Sequence, residues 1–187
     1  MLLLGGARSG KSRMAQARAE SMVGELVYLA TGEARDAEMT ARIARHQQDR
    51  GARWRTVEVP IDLADAMTRE RGAGRVVLVD CLTLWLSNVL LGEANSSGGP
   101  NVGRDDGPDG RFDDRLDIER ATERLLFALT HGVGTVLLVS NEVGLGIVPD
   151  NALARRFRDE AGRLHQRVAA IADEVLFVAA GLAVRMK

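Results

Sequence analysis

Residues Gly5 to Ser12 read GGARSGKS, the pattern G-x-x-x-x-G-K-S, and no other stretch constrains the fold as tightly. A short apolar run, Leu2–Leu4, precedes it, and a helix-period stretch, Lys11–Met22, follows. Strand, glycine-rich loop and helix in that order make a cradle for phosphate. Gly5, Gly6, Ala7, Arg8, Ser9 and Gly10 would turn backbone N–H groups onto the phosphates, and the helix adds its positive end. Lys11 would reach the outer phosphates, and the Ser12 hydroxyl would ligate Mg2+. Of the 25 basic residues only Lys11 and Lys187 are lysines. A compact ammonium slips between phosphates where a planar guanidinium fits badly, so a lysine at position 11 carries weight.

The rest of the chain supplies the alternation such a loop needs. Leu2–Leu4, Val27–Ala30, Trp54–Pro60, Val76–Asp80, Val136–Ser140 and Val175–Ala179 read as strands. Lys11–Met22, Asp36–Arg50, Leu63–Arg71, Leu116–Leu129 and Leu153–Ala172 read as helices from their apolar spacing. This predicts an α/β domain with a mainly parallel sheet flanked by helices. The end, VLFVAAGLAVRMK, predicts an antiparallel hairpin around Gly181. The first strand is so short that weak pairing is one expectation. Gly92–Asp114, rich in Gly, Asp and Ser, cannot bury enough surface to offset its ordering entropy and is expected to be a mobile excursion within a single domain, 1–187.

Composition narrows the function. A formal net charge of −1 gives no field for nucleic acid. The lone Cys81 excludes a disulfide framework and a cysteine-based zinc site. No apolar run approaches the roughly 18 residues of a membrane span, and no signal segment is expected before the first strand. A cytoplasmic enzyme or switch is the expectation.

Beyond the loop, VVLVD at Val76–Asp80 ends a buried strand in an acid, and Asp80 is the expected partner of Ser12 around Mg2+. His46 lies in RIARHQQDR among Arg42, Arg45 and Arg50. Clustered guanidiniums would keep its imidazole neutral and nucleophilic, or would clamp a phosphate. A solvated helix face with one histidine is the competing reading. His131 precedes Gly132 at a helix end and reads as C-terminal capping. His165 reads as a surface or packing residue. Asn141 and Glu142 follow the strand ending at Ser140, at the sheet edge where ligand crevices form. A plain connecting turn is the alternative there.

Together these segments resemble the bifunctional adenosylcobinamide kinase / adenosylcobinamide-phosphate guanylyltransferases of cobalamin biosynthesis. The likeness rests on GGARSGKS, on ARIARHQQDRGARWRTVE at Ala41–Glu58, on NEVGLGIVPDNALARRFRDEAGRLHQRVA from Asn141, and on ADEVLFVAAGLAVRMK. It runs nearly end to end and skips only Gly92–Asp114. The resemblance implies a P-loop NTPase fold of the RecA-like kind and a homotrimer. It implies that His46 takes GMP from GTP and that Gln47, Gln48, Asp49 and Arg50 line the GTP site. Thr31, Gly32, Glu33, Glu58 and Asp80 would contact nucleotide. ATP or GTP would phosphorylate adenosylcobinamide, and adenosylcobinamide phosphate would then accept GMP, giving adenosylcobinamide-GDP. A plain small-molecule kinase, with His46 on the surface, is the rival enzyme. A nucleotide-dependent switch is the rival from another class, although the chain has no N-K-x-D tetrapeptide.

Overall fold

The structure, a computed structural model, describes residues 1–33, 51–96 and 114–187. The helix expected over 36–50 lies outside the described residues, and with it His46, Gln47, Gln48, Asp49 and Arg50. So does 97–113, most of the expected excursion.

Seven strands form one sheet: β1 (Leu2–Gly5), β2 (Glu25–Ala30), β3 (Trp54–Glu58), β4 (Arg75–Asp80), β5 (Thr135–Asn141), β6 (Val175–Ala179) and β7 (Leu182–Arg185). Their order is β3-β2-β4-β5-β1-β6-β7. The first six run parallel, and β7 returns antiparallel to β6, as the hairpin reading expects. Five helices connect or follow the strands: α1 (Lys11–Glu20), α2 (Leu63–Glu70), α3 (Leu82–Ser96), α4 (Asp114–Thr130) and α5 (Ala152–Ile171).

Alternation along each strand divides the core in two. Leu2, Leu4, Val27, Leu29, Val77, Val79 and Leu138 point to the face covered by α2, α3, α4 and α5. Leu3, Leu26, Tyr28, Val76, Leu78, Leu137 and Val139 point to the other, where Ala15 and Ala19 of α1 pack close. β1 is short, yet it is not weakly paired: Leu2–Gly5 is in register with Leu138–Asn141 on one side and Val175–Val178 on the other. Two-sided pairing and full burial offset its length.

Two sequence expectations need correction. α3 was not anticipated, and it continues through Gly92 to Ser96, so the Gly-rich stretch begins inside a helix. Its segment, LTLWLSNVLL, is apolar all round because it is buried all round, which erases the one-sided period by which helices are read. His165 is a buried polar residue rather than a surface one. The capping reading of His131 fits its surroundings: Nδ1 lies 3.1 Å from Phe127 O, and the ring stacks on Phe127.

Candidate functional site

The loop from Gly5 to Lys11 is shaped by what cannot fit beside it. A Cβ on Gly5 would lie 2.3 Å from Val178 O and 2.7 Å from Ser9 Oγ, so only glycine lets β1 turn there. Gly10 has φ 96°, a left-handed conformation that glycine adopts without strain, and Arg8 shares that region at φ 55°. The turn closes with Ser9 N–H donating to Gly6 O at 3.2 Å. No side chain caps the start of α1, and no acid lies in its first turn. Its first amides are therefore left for an anion. Lys11 is buried and folds back so that Nζ donates to Gly6 O at 3.1 Å, placing the ammonium over the loop. Ser9 Oγ is buried with no hydrogen-bond partner. An orphaned hydroxyl inside a ring of amides is what a cradle built for phosphate oxygens leaves behind. The turn of the β6–β7 hairpin braces the loop from outside, with Gly181 N–H donating to Ser9 O at 2.8 Å.

Two strands along the same edge stands Asp80, at the end of β4. β5 separates it from β1, which sets about 10 Å between the two strands. Tyr28 donates its hydroxyl to Asp80 Oδ2 at 3.1 Å and orients the carboxylate. Ser12 lies half-buried in the first turn of α1. A hydroxyl and a carboxylate are a donor set suited to Mg2+, which takes few protein ligands and fills the rest with phosphate oxygens and water. Among the described residues no group of three or more His, Cys, Asp or Glu could hold a metal by itself.

The expected nucleotide contacts from the other strands divide by exposure. Thr31 is fully buried: Oγ1 donates to Cys81 O at 2.8 Å and accepts from Cys81 N–H at 2.7 Å. Asn88 Nδ2 holds Thr31 O at 2.7 Å. The Thr31 hydroxyl thus ties the end of β2 to the start of α3, while Gly32 and Glu33 beside it are half-buried at the edge. Glu58 ends β3, exposed, four strands and about 19 Å along the sheet from β1. Gly5 and Glu58 mark the two ends of one crevice edge.

Past β5 the chain re-enters the site. Glu142 N–H donates to Gly5 O at 3.0 Å, so the Asn141–Glu142 pair sits against the phosphate loop. Asn141 Nδ2 donates to Thr83 Oγ1 at 3.1 Å, and Thr83 also contacts Cys81 Sγ at 3.2 Å. The Cys81 thiol is pushed up to about 11, first by burial and then by the neighbouring Asp80 charge, so it stays protonated. Sequence reasoning missed Thr83, and it also missed the partner of Ser140. Ser140 Oγ lies 2.7 Å from His165 Nε2 in the core behind Glu142. Burial holds the His165 pKa below its ordinary value, against the opposing pull of Glu142.

Fold and loop together define a P-loop nucleotide-binding protein of the parallel α/β kind, with its phosphate cradle, acid and polar edge on one side of the sheet. Comparison with known proteins narrows this. Residues 1–186 match the family described as cobinamide kinase / cobinamide phosphate guanyltransferase, and the chain belongs to that family. It is 47% identical over 186 residues to the bifunctional adenosylcobalamin biosynthesis protein CobP of Pseudomonas aeruginosa, covering all of this chain and 96% of that one. It is 41% identical over 194 residues to the bifunctional adenosylcobalamin biosynthesis protein CobU of Salmonella typhimurium, covering all of this chain and 99% of the relative. Among solved structures, an ATPase of a bacterial type III secretion system matches with a TM-score of 0.51 at 15% identity, over 98% of this chain and 56% of that one. The assembled ATPase EscN of enteropathogenic Escherichia coli gives 0.52 at 14% identity, over 96% of this chain and 42% of that one. The chain spans about half the length of these ATPases, and the likeness is one of fold.

Proposed function

We propose that this chain phosphorylates the hydroxyl of the aminopropanol arm of adenosylcobinamide, with ATP or GTP as donor. It then transfers GMP from GTP to the new phosphate through a guanylyl-histidine at His46. The observation that carries the reading is the family match over residues 1–186, joined to a phosphate loop whose amides, Lys11 and orphaned Ser9 hydroxyl are aimed at one anion site.

In the first reaction the loop amides and Lys11 gather charge on the transferring phosphoryl group, where little covalent help is needed. Ser12 and Asp80 would hold Mg2+, which when bound neutralises charge on the phosphates. In the second reaction a neutral His46 nitrogen attacks the α-phosphorus of GTP. A P–N bond forms and the bond to pyrophosphate breaks. The substrate phosphate oxygen then attacks the same phosphorus, the P–N bond breaks, and the imidazole is regenerated. Splitting the transfer in two replaces one hard displacement by two easier ones. Gln47, Gln48, Asp49, Arg50, Gly32, Glu33 and Glu58 are the nucleotide contacts proposed with it. We assign the reactions to the cytoplasm and the working form to a homotrimer. The apolar edge strand β7, with Leu182, Val184 and Met186 exposed, is suited to such an assembly.

Incubation with GTP labelled at the α-phosphate tests the covalent half. The protein should retain acid-labile, base-stable label, and His46→Ala should retain none while still phosphorylating cobinamide at a measurable rate. Equal labelling of wild type and variant would remove His46 from the chemistry and favour the plain kinase.

A further inference from the structure

The loop leaving β5 carries apolar side chains that the protein does not cover. Leu145, Ile147 and Val148 are 82%, 98% and 61% exposed. The loop is nonetheless held in place. Arg158 Nη1 donates to Gly146 O at 3.2 Å, and Arg155 Nη1 donates to Pro149 O at 2.9 Å and Asp150 O at 2.6 Å. At its near end the Glu142 carboxylate accepts the Gly144 N–H, and at its far end Asn151 caps α5 through Ala154 N–H at 3.1 Å. Guanidiniums from α5 thus pin the loop's carbonyls and leave its apolar side chains outward.

We infer that this loop is the platform for the corrin ring of the acceptor, and that Leu145, Ile147 and Val148 carry it. The inference rests on the cobinamide reading above and adds the place where the ring lies. Position argues for it first. Glu142 is bonded to Gly5 of the phosphate loop, and three residues of chain reach at most about 11 Å, so Leu145 stands next to the cradle. The acceptor hydroxyl must come to that cradle, and the macrocycle attached to it must lie beside it. Chemistry argues second. Cobinamide is a broad ring edged by methyl groups and carboxamides. It suits an apolar platform with guanidinium donors at its rim, which Arg155 and Arg158 supply. Rigidity argues third, because a loop already fixed loses little entropy when a ligand settles on it. The other exposed apolar cluster, on β7, offers an open strand edge fitted to another chain. Val23 and Val133 are exposed as single residues at the opposite edge of the sheet.

Equilibrium dialysis with cobinamide, a coloured ligand, tests the placement without any need for turnover. The double variant Leu145→Ser, Ile147→Ser should bind cobinamide about tenfold more weakly than wild type. Its KM for cobinamide in the kinase assay should rise in parallel, with its Kd for GTP held. The control pair Val23→Ser and Val133→Ser should keep the wild-type cobinamide Kd. Wild type and double variant binding cobinamide equally would overturn the placement alone. A double variant that sediments as a smaller species than wild type would also overturn it, by making the loop a contact between copies. A wild type that binds no cobinamide would instead refute the functional reading beneath it.

Discussion

The His165 imidazole lies in the core with Nε2 2.7 Å from the Ser140 hydroxyl, one residue before Asn141. Burial lowers its pKa, and Glu142 opposes the shift. The consequence for stability has a definite sign. Above about pH 6.5 the ring is neutral in folded and unfolded chains and contributes no pH dependence. As pH falls through that value the unfolded chain takes up its proton first, so the folded state loses stability at up to about 1.4 kcal/mol per pH unit. Thermal melts between pH 8 and pH 5 should show this decline in wild type and a flatter curve for His165→Gln, whose amide keeps a donor for Ser140. Parallel curves would show that His165 titrates normally. The residues of the site differ in how far the sequence exposes them. Gly5 to Ser12 are eight consecutive residues with one geometry, so they are legible at once. Ser140 and His165 meet only through the register of β5 and the phase of α5, and no local pattern records that pairing. Thr31 was expected at a ligand, and its environment is internal, because a hydroxyl at a strand end serves equally well to bind a neighbouring turn.

Elements were read well wherever one face is buried and the other wet. α5 shows a strong one-sided pattern, and β4 and β5 carry unbroken apolar runs between an exposed or half-buried first residue and a polar end. α3 escaped because helices and sheet enclose it, leaving no polar face to set a period. Helix ends are also set by distant residues. Arg71, just after α2, sends Nη1 to Ala128 O and Leu129 O at 2.6 and 2.8 Å, and Nη2 to Gly132 O at 2.7 Å. One guanidinium therefore satisfies the last carbonyls of α4 and meets the negative end of its dipole. Desolvation lowers the Arg71 pKa. Arg71→Met should cost about 2 kcal/mol, from lost charge-assisted bonds and stranded carbonyls. Calorimetry should show that as a Tm lower by roughly 4–8 °C for a chain of this size. Because the cap lies at the edge of the sheet remote from the phosphate loop, the GTP Kd should be unchanged. A loss of GTP affinity as large as the loss of stability would show that the two edges communicate.

At the scale of the whole molecule, the phosphate loop is where distant parts of the chain converge. β1 enters it between β5 and β6, α1 leaves it, Glu142 bonds its first residue, and Gly181 of the hairpin bonds Ser9. This convergence explains why the α/β class was legible while the bracing was not: alternation is local, whereas the hairpin and the loop meet only after the sheet is assembled. It also ties nucleotide binding to global stability. A ligand that binds only the folded chain at a hundred times its Kd adds about 2.7 kcal/mol. GTP should therefore raise the wild-type Tm by roughly 5–10 °C. Lys11→Ala should lose most of that shift, since the ammonium lying over the loop is the charge that meets the anion. Ser9→Ala separates the ligand's contribution from the fold's. Its hydroxyl is buried and unpartnered, so removing it should leave the ligand-free Tm unchanged or higher, because an unsatisfied polar group is lost. The same substitution should shrink the GTP-induced shift, because the hydroxyl's partner is the phosphate. A Ser9→Ala protein that melts lower without GTP and keeps the full shift with it would mean that the hydroxyl serves the turn and not the nucleotide.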